Sequence, residues 1–230
     1  MKKDKLEQKV KDKENLESID LEKAKLKGAD LRKAQLNKAN LDRVDLRGAN
    51  LKGAELDKAS LEKANLTQAE FRGASMKQCS LAEALLHKAD FREVNLERSN
   101  LEEAELNDAD FKGAKLERSD MTKAQLNDGN FRDCDLDYVI LERADLSGAN
   151  FKGAQIRGAN LERADLSGAN LQDADLRKSN LTRANFTDAN LTGTDLRGAN
   201  FEFSTFVNAK GLTEEQIEEI EDQGGTVTEE

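Results

Sequence analysis

A hydrophobic residue recurs at every fifth position along most of this chain. From Leu16 to Phe206, all 39 such positions hold Leu, Phe, Met or Ile, without one insertion. Two residues before each of them, from Ala24 to Ala209, stands a small residue, most often Ala. The residue between the two is most often Asp or Asn. A fixed period held over this length indicates a repeat architecture.

A period of five residues fits neither an α-helix nor a flat β-strand. On a helix, successive hydrophobic residues would point about 140° apart, and on a strand they would alternate between the two faces. The pattern therefore predicts a chain that turns a corner every five residues and keeps each hydrophobic side chain on a common axis. Eleven of the 15 glycines share one register, two residues after the hydrophobic one, which is typical of a tight turn: Gly28, Gly48, Gly53, Gly73, Gly113, Gly148, Gly153, Gly158, Gly168, Gly193 and Gly198.

The spacing of the phenylalanines predicts how many corners close one coil. Five of them lie 20 residues apart, and we expect them to stack as a structural core: Phe71, Phe91, Phe111, Phe131 and Phe151. Four pentapeptides then make one square coil, and residues 16–210 make about nine to ten coils. At about 4.8 Å for each coil the rod is about 45 Å long. The absence of Pro fits such a structure, because each coil must donate amide hydrogen bonds to the next.

The repeat resembles the pentapeptide-repeat family, whose A(D/N)LXX motif is seen here in Ala29-Asp30-Leu31 and Ala149-Asn150-Phe151. The resemblance implies an all-β fold, a right-handed quadrilateral β-helix. It also implies functions without catalysis, because the family includes developmental regulators and resistance proteins that bind DNA gyrase as mimics of DNA.

The two ends of the chain depart from the repeat, so we predict three segments. Residues 1–15 form a charged segment with a short capping helix over Lys5–Glu14, and residues 16–210 form the solenoid. Residues 211–230 form a second capping helix and an acidic tail, with Thr213 as N-cap and Gln216 completing a capping box. Both helices are expected to cover the open edges of the terminal coils, which would otherwise pair with further strands.

The net charge of −10 is concentrated at the C-terminal end. Residues 211–230 carry eight acids and neither Lys nor Arg, and residues 1–15 carry +2, which leaves −4 for the coils. Duplex DNA of about 45 Å carries about 26 negative charges. The solenoid body is therefore a poor mimic of DNA, although acids cluster locally over Glu102–Asp110 and over Asp133–Asp137.

The sequence offers little material for catalysis. It has one histidine, His87, and no nucleophile elbow or phosphate-binding loop, so we expect no catalytic, metal-binding or cofactor-binding residues. Cys79 and Cys134 occupy the small-residue register, which predicts buried free thiols and favours a reducing cytoplasm. No apolar run approaches the length of a membrane span, no secretory signal precedes the repeat, and no direct binding of nucleic acid is expected.

Outward positions supply the candidate partner surfaces. Leu85 and Ile140 replace the usual Asp or Asn, Tyr138 lies at the corner beside Ile140, and a column of cations follows the phenylalanine stack: Arg32, Lys52, Arg72, Arg92, Lys112, Arg132 and Lys152. Phe203 and Val207 lie outward on the last coil, where either a C-terminal homodimer or the terminal helix would cover them. The sequence thus favours a scaffold for protein–protein interaction whose partner it does not name. The alternative is a DNA-mimicking modulator of gyrase.

Overall fold

The chain forms a solenoid of short pentapeptide sides, and the computed structural model describes residues 1–229. Its regular elements are α1 (Lys3–Lys11), β1 (Thr205–Val207), α2 (Glu214–Asp222) and β2 (Thr226–Thr228). Between α1 and β1, parallel bridges join single residues that lie 20 positions apart, from Asp20 with Asn40 onwards. This spacing confirms that four pentapeptides make one coil. The right-handed sense and the total of nine to ten coils stay predictions.

Four of the five backbone amides in a pentapeptide are bonded by the backbone itself. The N–H groups of Leu51 and Gly53 donate to carbonyls of the next coil, at 2.7 and 3.1 Å. The N–H of Glu55 donates to the previous coil at 2.9 Å, and the N–H of Ala54 closes the corner on the carbonyl of Leu51 at 3.0 Å. The same scheme repeats along the rod, so the coils are tied to one another on every side.

The fifth amide explains why Asp or Asn precedes the hydrophobic residue. The N–H of Lys52 has no backbone acceptor and donates to Asn50 Oδ1 at 3.2 Å. The N–H of Arg92 donates to Asp90 Oδ1 at 3.1 Å in the same way. A short side chain that accepts from the amide two residues later forms an Asx turn, which Asp and Asn favour. The polar position of the motif therefore completes the hydrogen bonding of the corner.

The hydrophobic column points inward in every pentapeptide, as predicted. Each of the 39 central residues from Leu16 to Phe206 is at most 4 % exposed. The five predicted phenylalanines stack with ring centroids 4.8–4.9 Å apart and planes within 9° of parallel. Phe186 and Phe206 form a second stack, at 4.6 Å, on a neighbouring side of the coil. Apolar burial along one axis therefore accompanies the backbone ladder over the whole rod.

The corner residue, two positions after the hydrophobic one, has a positive φ whatever its type. The angle is +62° at Gly158, +59° at Lys33 and +57° at Asp128. The glycine register thus marks the turn correctly, but the turn does not require glycine. The left-handed conformation costs a non-glycine residue about 1–2 kcal/mol. The cooperative ladder and the buried core outweigh that cost at most corners.

Helix α1 covers the edge of the first coils. Its Leu6 is fully buried against the core. The Glu7 carboxylate accepts a hydrogen bond from the N–H of Asp30 at 2.9 Å, and Lys3 Nζ donates to the carbonyl of Lys27 at 3.3 Å. In later coils the corresponding N–H groups and carbonyls are bonded by the preceding coil, as the N–H of Asn50 is by the carbonyl of Ala29. Helix α1 thus takes the place of a preceding coil. The helix lies two to three residues earlier than the predicted range, which ended at Glu14.

Helix α2 begins as its sequence predicts. The Thr213 hydroxyl accepts from the N–H of Gln216 at 3.2 Å, and Gln216 Oε1 accepts from the N–H of Thr213 at 2.9 Å, which completes the capping box. Both helices have nine residues, and within residues 1–229 no helix is long and apolar enough to cross a membrane.

Side chains and a short strand close the last coil. Gln216 Nε2 donates to the carbonyl of Thr194 at 2.9 Å. The Gln223 amide accepts from the N–H of Phe201 at 3.0 Å and donates to the carbonyl of Ala199 at 3.3 Å. Strand β2 then pairs in parallel with β1. The last edge is therefore covered by a helix, two glutamine side chains and one strand, which leaves little edge for another strand to join.

We expect Phe111→Ala to lower the free energy of unfolding by about 3–5 kcal/mol, because it opens a cavity in the middle of the stack. Lys112→Ala, on the adjoining outward position, should change it by less than about 0.5 kcal/mol. Phe111→Leu should fall between them, since Leu fills the same position in other coils. Equilibrium denaturation followed by circular dichroism measures all three. Equal stability of the Ala variants would contradict the inward assignment.

Candidate functional site

The two thiols are buried and free, as the sequence predicts. Cys79 Sγ donates to the carbonyl of Leu56 and Cys134 Sγ to the carbonyl of Phe111, both at 2.8 Å. Burial raises the pKa of each thiol to about 12. Both cysteines therefore stay protonated at neutral pH, and a protonated, buried thiol is a poor nucleophile and a poor metal ligand.

The single histidine lies against one carboxylate. His87 Nε2 is 2.8 Å from Glu105 Oε2, and both side chains are partly exposed. Among residues 1–229, no group of three or more His, Cys, Asp or Glu side chains is placed to hold a metal ion. The pair is a partly exposed contact between neighbouring coils.

The predicted column of cations is aligned coil over coil, but carboxylates accompany much of it. Four of its members pair with a carboxylate at 2.6–2.8 Å, and these pairs are Arg32–Asp30, Lys52–Glu70, Arg72–Glu93 and Arg92–Asp90. Hydrogen bonds from Arg32 hold the pKa of Asp30 at about 2. Within residues 1–229, Lys112 and Arg132 have no carboxylate within 4 Å. Lys152 likewise contacts Gln172 and, in the described part of the chain, not a carboxylate. The column is therefore a ladder of ion pairs over its first four members and a cationic surface over its last three.

The acids clustered in sequence do not form one surface. Glu103, Glu105 and Asp110 stand on three successive sides of the same coil, because each pentapeptide forms one side. The charge of Glu103 is also compensated by Lys123, whose Nζ lies 2.6 Å from Glu103 Oε1. The folded rod instead builds an acidic side from residues far apart in sequence. Its outward positions between residues 105 and 188 carry six acids and neither Lys nor Arg: Glu105, Asp108, Asp128, Asp145, Asp165 and Asp188.

Tyr138 and Ile140 are two of the three large apolar residues exposed on the described coils, and Phe203 is the third. The first two are 55 % and 38 % exposed and stand side by side at one corner. The Arg118 guanidinium lies 5.2 Å from the Tyr138 ring centroid. A Cβ atom added at Gly158, on the next coil, would lie 2.9 Å from Tyr138 Cε1. The ring is thus held between an arginine and a glycine that leaves space for it, and we call these four residues the Tyr138 corner.

A hollow of about 580 Å³ opens beside this corner. Tyr138, Gly158 and Lys178 line it along the corner, and Asp137, Arg157 and Arg177 line it along the adjoining side. Arg157, Arg177 and Lys178 were not among the residues predicted to form a partner surface. Their signal was present, because Arg157, Arg177 and Arg197 recur at the 20-residue spacing of the coil.

Leu85 lies apart from the Tyr138 corner. It is half-buried and bridges Asn65 and Glu105 at the start of the acidic side, more than two coils away from Tyr138. The structure therefore joins Tyr138 with Ile140 but separates both from Leu85. We therefore assign Tyr138 and Ile140 to one candidate partner surface and leave Leu85 outside it.

Phe203 stays exposed on the last coil. It is 58 % exposed, and the Arg183 guanidinium lies 5.4 Å from its ring centroid. Val207 is half-buried in β1, where it pairs with Thr228 of β2. Helix α2 therefore closes the edge of the coil without burying Phe203.

The chain is similar to known pentapeptide repeat proteins. The family model of pentapeptide repeats matches in eight copies over residues 15–53, 45–81 and 164–202, and that of the pentapeptide repeat region matches residues 64–141 and 84–161. HetL, a pentapeptide repeat protein involved in the regulation of heterocyst differentiation in the cyanobacterium Nostoc sp. strain PCC 7120, is 31 % identical. That match covers 92 % of this chain and 99 % of HetL, with a TM-score of 0.42.

Two further solved structures show similar repeats. Another pentapeptide repeat protein from Nostoc PCC 7120 is 36 % identical over 47 % of this chain and 84 % of its own, with a TM-score of 0.30. A trypsin-treated form of QnrB1, a plasmid-mediated fluoroquinolone resistance protein, is 18 % identical over 90 % of this chain and 96 % of its own, with a TM-score of 0.46. A search of curated proteins gave no match.

Phe203 is exposed in the single chain, so the C-terminal homodimer stays a prediction. We expect a two-fold dimer that buries Phe203 and Val207, because burying exposed apolar surface favours association. Light scattering should give twice the mass of the chain for the wild type and the single mass for Phe203→Asp. Asp tolerates the positive φ of this corner, as Asp128 shows. A monomeric wild type would contradict the prediction.

Proposed function

We propose that this chain, which belongs to the pentapeptide-repeat family, is a non-enzymatic cytoplasmic scaffold that binds a partner protein. The observation that carries the proposal is the Tyr138 corner. It presents an exposed aromatic ring and an exposed aliphatic side chain on a rod whose other outward residues are mostly polar. Tyr and Arg are the residue types that dominate the binding energy of protein interfaces.

Local structure supports a role for this corner in binding. Ile140 stands where most pentapeptides have Asp or Asn, and an apolar side chain cannot accept the hydrogen bond of the amide two residues later. Ile140 and Leu85 are the two apolar residues at this position, where the other pentapeptides without Asp or Asn have Ser, Thr, Glu, Gln or Lys. Departures from a local rule are typical of functional positions. Tyr138 is also held in place by Arg118 and Gly158, so binding would cost little further ordering.

Site-specific photocrosslinking tests the scaffold. A benzophenone amino acid placed at Tyr138 should give one dominant adduct with another protein when cells are irradiated. The matched control is the same amino acid at Lys58, which occupies the same corner column four coils away. An adduct at position 138 that is absent at position 58 is the expected result. The absence of an adduct at position 138, or identical adducts at both positions, would contradict the proposal.

Modulation of gyrase is the second candidate function, and the acidic side favours it. Six acids that form no ion pair with Lys or Arg within residues 1–229 lie along about four coils, or about 20 Å of rod. Duplex DNA of that length carries about 12 negative charges. One side of the rod therefore offers about half the charge of the DNA that it would replace. The remaining sides add little, since the coils as a whole carry −4.

We accordingly expect weak or no inhibition of gyrase supercoiling at physiological salt. Any inhibition should depend on the acidic side and disappear in the triple variant Asp128→Asn, Asp145→Asn and Asp165→Asn, because charge complementarity drives such binding. Asn is the natural alternative to Asp at the positions of Asp145 and Asp165, so the fold should tolerate it. Strong inhibition by the wild type would overturn our ranking of the two functions.

The control for this assay neutralises the tail acids Glu218, Glu219 and Glu221 as glutamines. Deleting residues 212–230 would be unsuitable, because it would remove the Gln216 and Gln223 side chains that close the last coil. Inhibition that survives the tail variant but not the triple variant would assign the activity to the acidic side.

A further inference from the structure

The hollow beside Tyr138 exists because one corner lacks a side chain. Tyr138, Gly158 and Lys178 occupy the same corner position on three successive coils. Tyr138 and Lys178 are therefore separated by two coil spacings, about 9.6 Å. Gly158 lies between them, and the Tyr138 ring leans over it, since an added Cβ atom would lie 2.9 Å from Tyr138 Cε1. The hollow beside this ring, which Lys178 also lines, has a volume of about 580 Å³. Because the backbone amides of Tyr138 and Lys178 both belong to the hydrogen-bonded ladder, the separation of these two residues is set by the fold.

Two arginines on the adjoining side are fixed in place. Arg157 binds the carboxylate of the buried Asp137 with Nε and Nη2, and its Nη2 also donates to Gln155 Oε1 at 3.2 Å. Arg177 binds Asp175 through Nε at 2.8 Å and Nη2 at 2.6 Å. These contacts use one edge of each guanidinium group. In the described part of the chain, nothing accepts a hydrogen bond from Nη1 of either arginine.

The charge of the hollow favours a ligand with a single negative charge. Asp137 and Asp175 compensate Arg157 and Arg177. Lys178 has no carboxylate partner within residues 1–229, so its charge is uncompensated. One excess positive charge beside fixed N–H donors suits a carboxylate, which accepts hydrogen bonds from guanidinium groups in a planar geometry.

We propose that the hollow binds an acidic segment of the partner protein, with an Asp or Glu carboxylate between Arg157, Arg177 and Lys178. An aromatic or aliphatic neighbour of that acid would contact Tyr138 and Ile140. This assignment rests on the scaffold function proposed above and adds the chemistry of the partner. Its affinity comes from the apolar contact and its orientation from the carboxylate.

A displayed library of random 12-residue peptides, selected on the full-length protein, tests the assignment. Enriched peptides should carry Asp or Glu next to an aromatic or aliphatic residue. Lys178→Gln should weaken the binding of such a peptide about tenfold, because it removes a charge-assisted hydrogen bond. Gln occupies the same corner position at Gln68 and Gln78, so the variant should keep its fold. Thermal unfolding checks this.

Two controls locate the contact. Lys58→Gln, which makes the same change in the same corner column, should leave the affinity unchanged. Replacing the acid of the peptide by its amide should weaken binding to the wild type at least as much as Lys178→Gln does, because the carboxylate also contacts Arg157 and Arg177. Lys178→Gln should then weaken the binding of the amide peptide much less than that of the acidic peptide, since the amide has already lost the ion pair with Lys178. Rising salt concentration should weaken binding as well.

Failure of this assignment is distinguishable from failure of the scaffold function. A selection that enriches no acidic sequence, or peptides that bind the Lys178→Gln variant as well as the wild type, would overturn the carboxylate site. The crosslink at Tyr138 would in that case still report on the scaffold, because it requires no particular partner chemistry. Additive effects of the peptide and protein changes would also overturn the assignment.

Discussion

The hydrogen-bonded ladder between coils is the constraint on which the rest of the molecule depends. Four backbone amides in each pentapeptide bond the adjacent coils or close the corner, so each corner must fall at the same position on every coil. That requirement directs every fifth side chain to the axis and places Asp or Asn where the remaining amide needs an acceptor. It also holds Lys, Arg and Asp in a left-handed conformation that they rarely adopt.

A ladder of this kind leaves unbonded groups at both ends, and the chain closes them with side chains as well as helices. Glu7 and Lys3 at one end, and Gln216 and Gln223 at the other, bond backbone groups that a further coil would otherwise bond. An uncovered parallel edge would be a template for aggregation. The terminal segments are therefore part of the solenoid's stability, although they share none of its repeat.

The sequence predicts the interior of this rod better than its surface. The period of five and the phenylalanine spacing of 20 are enough to place the core, because burial allows only one arrangement of these residues. The Gln216 capping box was also predictable, since its contacts are local. The acidic side and the hollow at Gly158 were not predicted, because their residues lie about 20 positions apart in sequence and become neighbours only when successive coils stack. The pairing of Arg32 with Asp30 was also missed, although its signal is local, because the same pair forms wherever the repeat reads Asp-X-Arg, as in Arg92 with Asp90.

The 20-residue coil restricts how such a rod can change in length. Inserting one pentapeptide would preserve the core, because every fifth residue would still point inward. It would, however, rotate everything downstream by a quarter turn, so that Tyr138 would no longer stand in line with Gly158 and Lys178 if the insertion fell between them. Only insertions or deletions of whole coils keep the four sides aligned. A surface assembled from several coils is therefore inherited as a unit, and the rod can lengthen freely only outside it.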